Sequence, residues 1–231
     1  MLMTLLSILI AIVPGILIAF FIWRKDRLHP EPRLYLGLSF ALGCLITFPA
    51  YFIERFAVNQ GLDDPTKILS IFFIAFIVVS LIEELFKGGS LLLFPYNQDF
   101  FDEPLDGIVY AVMIAMGFAT TENIIYALQH GLNTTIVRAF TAVPAHGAFA
   151  VIFGYYIGRS KFEPEKKWKL IGMGFGLAVL LHGIYDFFLV QELYEWLIGL
   201  AIPVLIFSIY LALRMLNLQA LDSSQRDTDA P

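Results

Sequence analysis

Long apolar runs divide this chain, and they constrain its fold more than any other feature. A helix needs roughly 20 residues to cross about 30 Å of hydrocarbon. Runs that are long enough lie near residues 2–23, 34–57, 67–94, 105–129, 135–158, 168–190 and 193–214. Only 15% of the residues are charged, against roughly 25% in soluble domains. The sequence therefore predicts an all-α, polytopic transmembrane helical bundle of about seven helices in the cell membrane.

The distribution of lysine and arginine predicts how these helices are oriented. Basic residues in short loops stay in the cytoplasm, and here they concentrate in the first and fifth loops, at Arg24, Lys25, Arg27, Arg33, Arg159, Lys161, Lys166, Lys167 and Lys169. With seven crossings, we expect the N-terminus outside and the C-terminus in the cytoplasm. Arg24-Lys25 follows the first run, which has no basic segment before it and no cleavage site, so we expect it to remain as a helix.

Domain organisation follows from the same pattern. We expect one transmembrane domain over residues 1–218 and a polar, disordered tail over residues 219–231. The net charge is -5 and no basic block is present, so we expect no nucleic-acid partner. Cys44 is the single cysteine, which excludes an intrachain disulfide.

Ionisable residues inside a bilayer are costly and mark candidate functional sites. In the third run, Glu83 and Lys87 are four residues apart and Glu84 is three residues from Lys87, so one lysine can reach either carboxylate on the helix. A buried ion pair between helices would explain one glutamate but not both. Two carboxylates beside one ammonium leave a surplus negative charge, and a basic carboxylate beside water can act as a general base.

Further polar residues occur in the fourth, fifth and sixth runs. His182 and Asp186 are four apart, so the carboxylate can orient the imidazole. Taken singly, His146 and His182 are compatible with satisfied core histidines, and Glu122 with a polar contact between helices. Their joint presence at membrane depth favours a functional site.

Four ordered motifs resemble those of the PrsW family of membrane proteases, related to the CAAX-prenyl endoproteases. They are EExxK at Glu83, Glu84 and Lys87; FxxxE at Phe118 and Glu122, followed by Asn123; a later His146; and HxxxD at His182 and Asp186. The segments 26–32 and 102–107 are also similar to the family's acidic, proline-containing loops, although His29 stands where the family often has an acidic residue.

The resemblance implies a glutamic-type endopeptidase that cleaves membrane-anchored protein substrates, typically an anti-sigma factor. Together with the charge argument, it assigns water activation to Glu83 or Glu84, and oxyanion stabilisation or proton donation to His146 or His182. Lys87 would hold the glutamates, Asp186 would orient His182, and Glu122 with Asn123 would complete a polar wall around trapped water. No metal or other cofactor is expected, and the expected partners are the substrate and membrane lipid. The oligomeric state stays open.

Three alternatives remain at this point. A zinc protease could use His146, His182 and Glu122 as ligands, although the chain has no HExxH helix. A proton- or ion-coupled transporter also carries charges at membrane depth, but no internal repeat is visible. A non-catalytic scaffold or receptor would tolerate substitution of Glu83 and Glu84.

Overall fold

The protein is an all-α bundle, as predicted. A computed structural model describes residues 2–26 and 29–229, with side chains through Asp222. Within these residues the eight α-helices are α1 Leu2–Lys25, α2 Arg33–Asn59, α3 Ile68–Phe72, α4 Leu81–Leu93, α5 Pro104–Phe140, α6 Ala142–Phe162, α7 Lys167–Val190 and α8 Ala201–Asp229. A π-helical segment, Phe73–Ser80, joins α3 to α4 without a break.

Six helical stretches in the described chain are long and apolar enough to cross a membrane. One of them, Pro104–Phe162, has 59 residues and is a hairpin, because α5 and α6 run antiparallel. Contacts between the two helices join Gly107 to Gly154 and Gly158 at one end of the hairpin, and Glu122 to His146 nearer the other end. The number of crossings and their orientation stay predictions.

Helix α5 is the centre of the bundle. Every residue from Glu103 to Thr120 is buried, because α1, α2 and α6 pack around this half of the helix. The packing depends on small residues that let backbones approach closely. A Cβ atom added to Gly107 would collide with the backbone of Gly154 and Gly158. Large apolar side chains of the outer helices, such as Leu2, Leu69 and Ile206, remain exposed, as lipid-facing residues are.

The loops group at the two ends of the bundle. At one end, Lys161 in the last turn of α6 donates to Gln98 O at 3.0 Å. At the same end, the carboxylate of Asp26 lies close to that of Asp106. At the opposite end, Glu192 N donates to Pro65 O at 2.9 Å. The first, third and fifth loops therefore share one end, which we expect to be cytoplasmic from their basic residues.

Two boundaries differ from the sequence-based expectations. The fifth apolar run was expected to begin near residue 135, but α6 begins at Ala142 because α5 continues to Phe140 past a break at Gly131. Helix α8 continues through Asp229, beyond the expected domain end at residue 218. The domain boundary itself stays a prediction.

Candidate active site

Helix α4 supplies the central charges of the site. Glu83, Glu84 and Lys87 are each at least 95% buried, and the Lys87 ammonium donates to Glu83 Oε2 at 2.8 Å and to Glu84 Oε1 at 2.9 Å. The helical spacing of three and four residues thus brings both carboxylates to one lysine, as predicted. The π-helical segment ends immediately before α4, and such segments often occur at functional sites.

Helix α7 brings His182 to this pair. His182 Nδ1 lies 3.0 Å from Glu84 Oε1 and Nε2 lies 3.2 Å from Asp186 Oδ2. The helix approaches the π-helical segment closely because Gly183 has no side chain, and a Cβ there would collide with the ring of Phe76. Ser80 Oγ also donates to Val179 O at 2.6 Å. These contacts fix the register that sets His182 beside Glu84.

Helix α6 brings His146 to the other side of the lysine. Its Nδ1 lies 3.0 Å from Lys87 Nζ, and its Nε2 lies 3.1 Å from Glu122 Oε2 on α5. The ring of Phe118, one turn before Glu122, lies 4.4 Å from Lys87 Nζ, a cation–π contact that shields the ammonium. Five side chains from α4, α6 and α7 therefore meet, and we call Glu83, Glu84, Lys87, His146 and His182 the active-site cluster.

Arg138 is a member of the network that the sequence analysis missed. Its guanidinium lies 2.7 Å from Glu122 Oε2 and over the ring of Tyr126 at 3.8 Å. In a straight helix, residues 122 and 138 would be about 24 Å apart. Gly131, with φ 78° and ψ -168°, reverses the chain so that Arg138 returns to Glu122. The sequence feature that could have indicated this contact is a glycine near the end of an apolar run, followed by an arginine.

Two further residues differ from expectation. Asn123 does not join the polar wall, because its side chain points to α1 and donates to Ala11 O at 3.4 Å. A step of one residue turns a helical side chain by about 100°, and α5 is rotated so that Glu122 faces His146 while Asn123 faces α1. Glu54 on α2, which the sequence analysis overlooked, lines a cleft together with Glu83 and has one buried oxygen that meets no hydrogen-bond partner in the described part of the chain.

A cleft leads to the active-site cluster. A compartment of about 240 Å³ touches Glu83, His146, His182 and Asp186. A second one, of about 390 Å³, shares Glu54, Glu83 and Glu122 with it and extends to the loop at Asp63–Pro65. The cleft therefore opens at the end of the bundle opposite the basic loops.

The site also fits a divalent metal ion by its donor atoms. One ligand atom from each of Glu83, Glu84, His146 and His182 lies within 4.8 Å of the others, and imidazole nitrogen with carboxylate oxygen is a donor set that zinc accepts. Glu122, which the zinc alternative would use as a ligand, pairs with Arg138 instead. Lys87 already donates to two of these residues and contacts a third, so it competes with a metal ion for their lone pairs.

Comparison with known proteins identifies the family. The profile described as "PrsW family intramembrane metalloprotease" matches residues 31–213. The chain is 36% identical to Protease PrsW of Geobacillus kaustophilus over 82% of each chain. It is 34% identical to Protease PrsW of Bacillus subtilis, covering 88% of this chain and 90% of the relative.

A third relative, Protease PrsW of Clostridioides difficile, is 36% identical over 84% of this chain and 83% of its own. No solved structure matches the chain. The family match covers α2 to α7, the first part of α8 and all four motifs that build the cleft. This multi-pass protein of the cell membrane belongs to the PrsW family of intramembrane proteases.

Proposed function

We propose that this protein is a membrane-embedded endopeptidase in which Glu83 activates the water that attacks the peptide bond. The observation that carries the proposal is the convergence of two glutamates and two histidines on one buried lysine at the end of a cleft. A scaffold has no need for a base, an ammonium and two imidazoles at one point, and a transporter, which can use such groups, is not supported by any visible internal repeat.

Glu83 is a better candidate for the base than Glu84. Glu83 lines both compartments of the cleft, where water and substrate can enter, and Glu84 lines neither. Glu84 Oε1 is also engaged by both Lys87 and His182. Glu84 therefore supports the lysine and the histidine, while Glu83 keeps one oxygen for a water molecule.

The two histidines have different partners and so different roles. Both ring nitrogens of His182 face carboxylates, on Glu84 and Asp186, so the doubly protonated ring satisfies both. His182 is then a positive charge 4.0 Å from Glu83 Oε2. For His146, donation from Nε2 to Glu122 leaves Nδ1 to accept from Lys87.

The reaction follows from these roles. A carboxylate oxygen of Glu83 accepts a proton from water while the water oxygen bonds to the scissile carbonyl carbon. Lys87 and protonated His182 stabilise the negative charge that develops on the carbonyl oxygen. The carbon–nitrogen bond then breaks as the amine takes the proton from Glu83, which yields a new carboxyl terminus and a new amino terminus.

The family description raises a metal-dependent variant of this function. Glu83, Glu84, His146 and His182 would hold the ion, which would supply Lewis-acid polarisation of the scissile carbonyl. Lys87 supports the metal-independent proposal, because its ammonium already supplies a cation to the same carboxylates.

The substrate class follows from where the cleft opens. It extends to Asp63–Pro65, at the end away from the basic loops, so we infer cleavage near the outer membrane surface. The proposed substrate is a single-span membrane protein, of the anti-sigma-factor type, whose extracytoplasmic segment can unfold into the cleft.

The test is proteolysis by purified protein in detergent or liposomes, with single-span candidate substrates. We expect the variant with both Glu83→Gln and Glu84→Gln to lose cleavage by about 100-fold or more while its helical content persists. Glu165→Gln, an exposed carboxylate, is the matched control and should cleave at the wild-type rate. Wild-type cleavage by the double variant would contradict the proposal.

A second comparison separates the two variants of the mechanism. The metal-independent mechanism predicts full activity after chelation and no stoichiometric metal by elemental analysis. Activity that is lost on chelation and restored by zinc, with the metal absent from the double variant, would replace the metal-independent mechanism but leave the protease function in place.

A further inference from the structure

A second group of acidic residues, all but one of them buried, lies at the opposite end of α5. It combines the first loop with the start of this helix, and we call it the acidic cluster: Asp26, Glu31, Asp102, Glu103 and Asp106. Carboxylate oxygens of Asp26, Glu103 and Asp106 lie within 4.8 Å of one another, as do those of Glu31, Asp102 and Asp106. Asp106 is common to both sets and has no exposed surface.

Two of these carboxylates, those of Asp106 and Asp26, each accept backbone hydrogen bonds through one of their oxygens. Asp106 Oδ2 accepts from the backbone nitrogens of Asp102 and Glu103, both at 2.8 Å. Asp26 Oδ2 accepts from Glu31 N at 3.0 Å. These bonds cap α5 and close the first loop, and they leave the second oxygen of each aspartate in a fixed position.

Those second oxygens are the observation that points to a ligand. Asp26 Oδ1 and Asp106 Oδ1 are buried and have no hydrogen-bond partner among the residues that the structure describes, and their residues are 2% and 0% exposed. A buried carboxylate oxygen without a partner is costly. Something that donates positive charge or a proton is required at this point.

The described side chains around the cluster supply only part of it, and His29 is one that interacts electrostatically with Asp26. Tyr110, one turn after Asp106, donates its hydroxyl to Glu31. Lys161 interacts electrostatically with Asp106 but gives its hydrogen bond to Gln98 O. Burial raises the pKa of Glu31 to about 7, so a proton shared between carboxyl groups is the competitor of a bound cation.

The geometry points to a divalent-cation site in the acidic cluster, with Asp26 and Asp106 as its central ligands. All its donors are oxygens, the set preferred by hard cations such as Mg²⁺, Mn²⁺ and Ca²⁺. The first and third loops lie at the expected cytoplasmic end, where Mg²⁺ is the available ion. The ion would tie the first loop to α5, about 24 Å along this helix from Glu122, and so stabilise the bundle without entering the reaction.

The test uses the full chain in detergent at about pH 8, with Mn²⁺ as a paramagnetic probe. Free Mn²⁺ is measured by electron paramagnetic resonance during titration, and Mg²⁺ is then added to compete. Wild type should bind Mn²⁺ with a Kd below about 1 mM, Mg²⁺ should displace it, and Mg²⁺ should raise the unfolding temperature. Asp106→Asn and Asp102→Asn should each weaken binding by about tenfold or more.

Two test variants and two controls make the result decisive. Asp106→Asn keeps an oxygen that can accept from the backbone, and Asp102 is exposed, so at least one variant should fold. Asp99→Asn, an exposed aspartate of the same loop, should bind as wild type does, and so should Glu83→Gln. Equal Mn²⁺ binding in all variants, no binding in wild type, or stabilisation by Asp106→Asn that is independent of Mg²⁺ would overturn the proposal, the last in favour of a shared proton.

Discussion

The two ends of α5 handle buried carboxylates in opposite ways. In the active-site cluster, Lys87 donates to Glu83 and Glu84, and nearby Arg138 pairs with Glu122. In the acidic cluster, Asp26 and Asp106 each keep an oxygen with no partner among the described residues. A carboxylate with a built-in cation keeps its charge and position permanently, whereas one without must take up a proton or an ion. The chain thus fixes its chemistry at one end and leaves room for an external ligand at the other.

The largest expected effect comes from removing the positive charge of Lys87, which the chain itself supplies to Glu83 and Glu84. Lys87→Met should lower the free energy of unfolding by about 3–5 kcal/mol, because it leaves buried carboxylates unpaired, and should reduce proteolysis more than Lys87→Arg does. Thermal unfolding and cleavage rates measure the two effects.

The matched substitution at the other end is Lys161→Met. Lys161 makes its hydrogen bond to a carbonyl, not to a carboxylate, so its loss should change stability and cleavage far less. Equal losses for the two lysines would show that the distinction between the two ends is wrong.

A smaller effect is expected for Arg138, which acts on the active-site cluster through Glu122. Arg138→Met should slow cleavage by about tenfold, the lower range for residues that orient a functional group, with kcat reduced more than KM is raised. Arg138→Lys should recover part of the rate because it restores the charge. Unchanged kcat in Arg138→Met would show that Arg138 does not help Glu122 to position His146.

The smallest effect is expected at the chain reversal that creates this contact. Gly131 has backbone angles that are essentially restricted to glycine, so Gly131→Ala should cost about 1–3 kcal/mol of stability. A Cβ there would meet no atom within 4 Å, which leaves backbone strain as the cause. Gly172→Ala, also in open space but with ordinary helical angles, is the control and should be neutral or stabilising.

Much of this architecture could be predicted from local patterns. Apolar runs of bilayer length predict the helices, and spacings of three or four residues predict the bonds of Lys87 to Glu83 and Glu84 and of His182 to Asp186. Such contacts lie within one helix, so one sequence contains all the information they need.

Contacts between helices could not be predicted in the same way. Arg138 reaches Glu122 only because Gly131 reverses the chain, and Glu54 meets the cleft only because α2 packs against α5. The prediction that Asn123 joins Glu122 in the polar wall was wrong, because the rotation of α5 turns Asn123 towards α1. The acidic cluster is assembled from two loops that are more than 70 residues apart in the chain.

The most direct test of the central claim compares Glu83→Gln with Glu84→Gln, each as a single substitution. Glutamine keeps the shape of glutamate but cannot accept a proton from water. We expect Glu83→Gln to lose cleavage of a verified substrate by about 100-fold or more, and Glu84→Gln to lose less, with both proteins folded. Wild-type cleavage by Glu83→Gln, or a larger loss in Glu84→Gln, would contradict the assignment of Glu83 as the base.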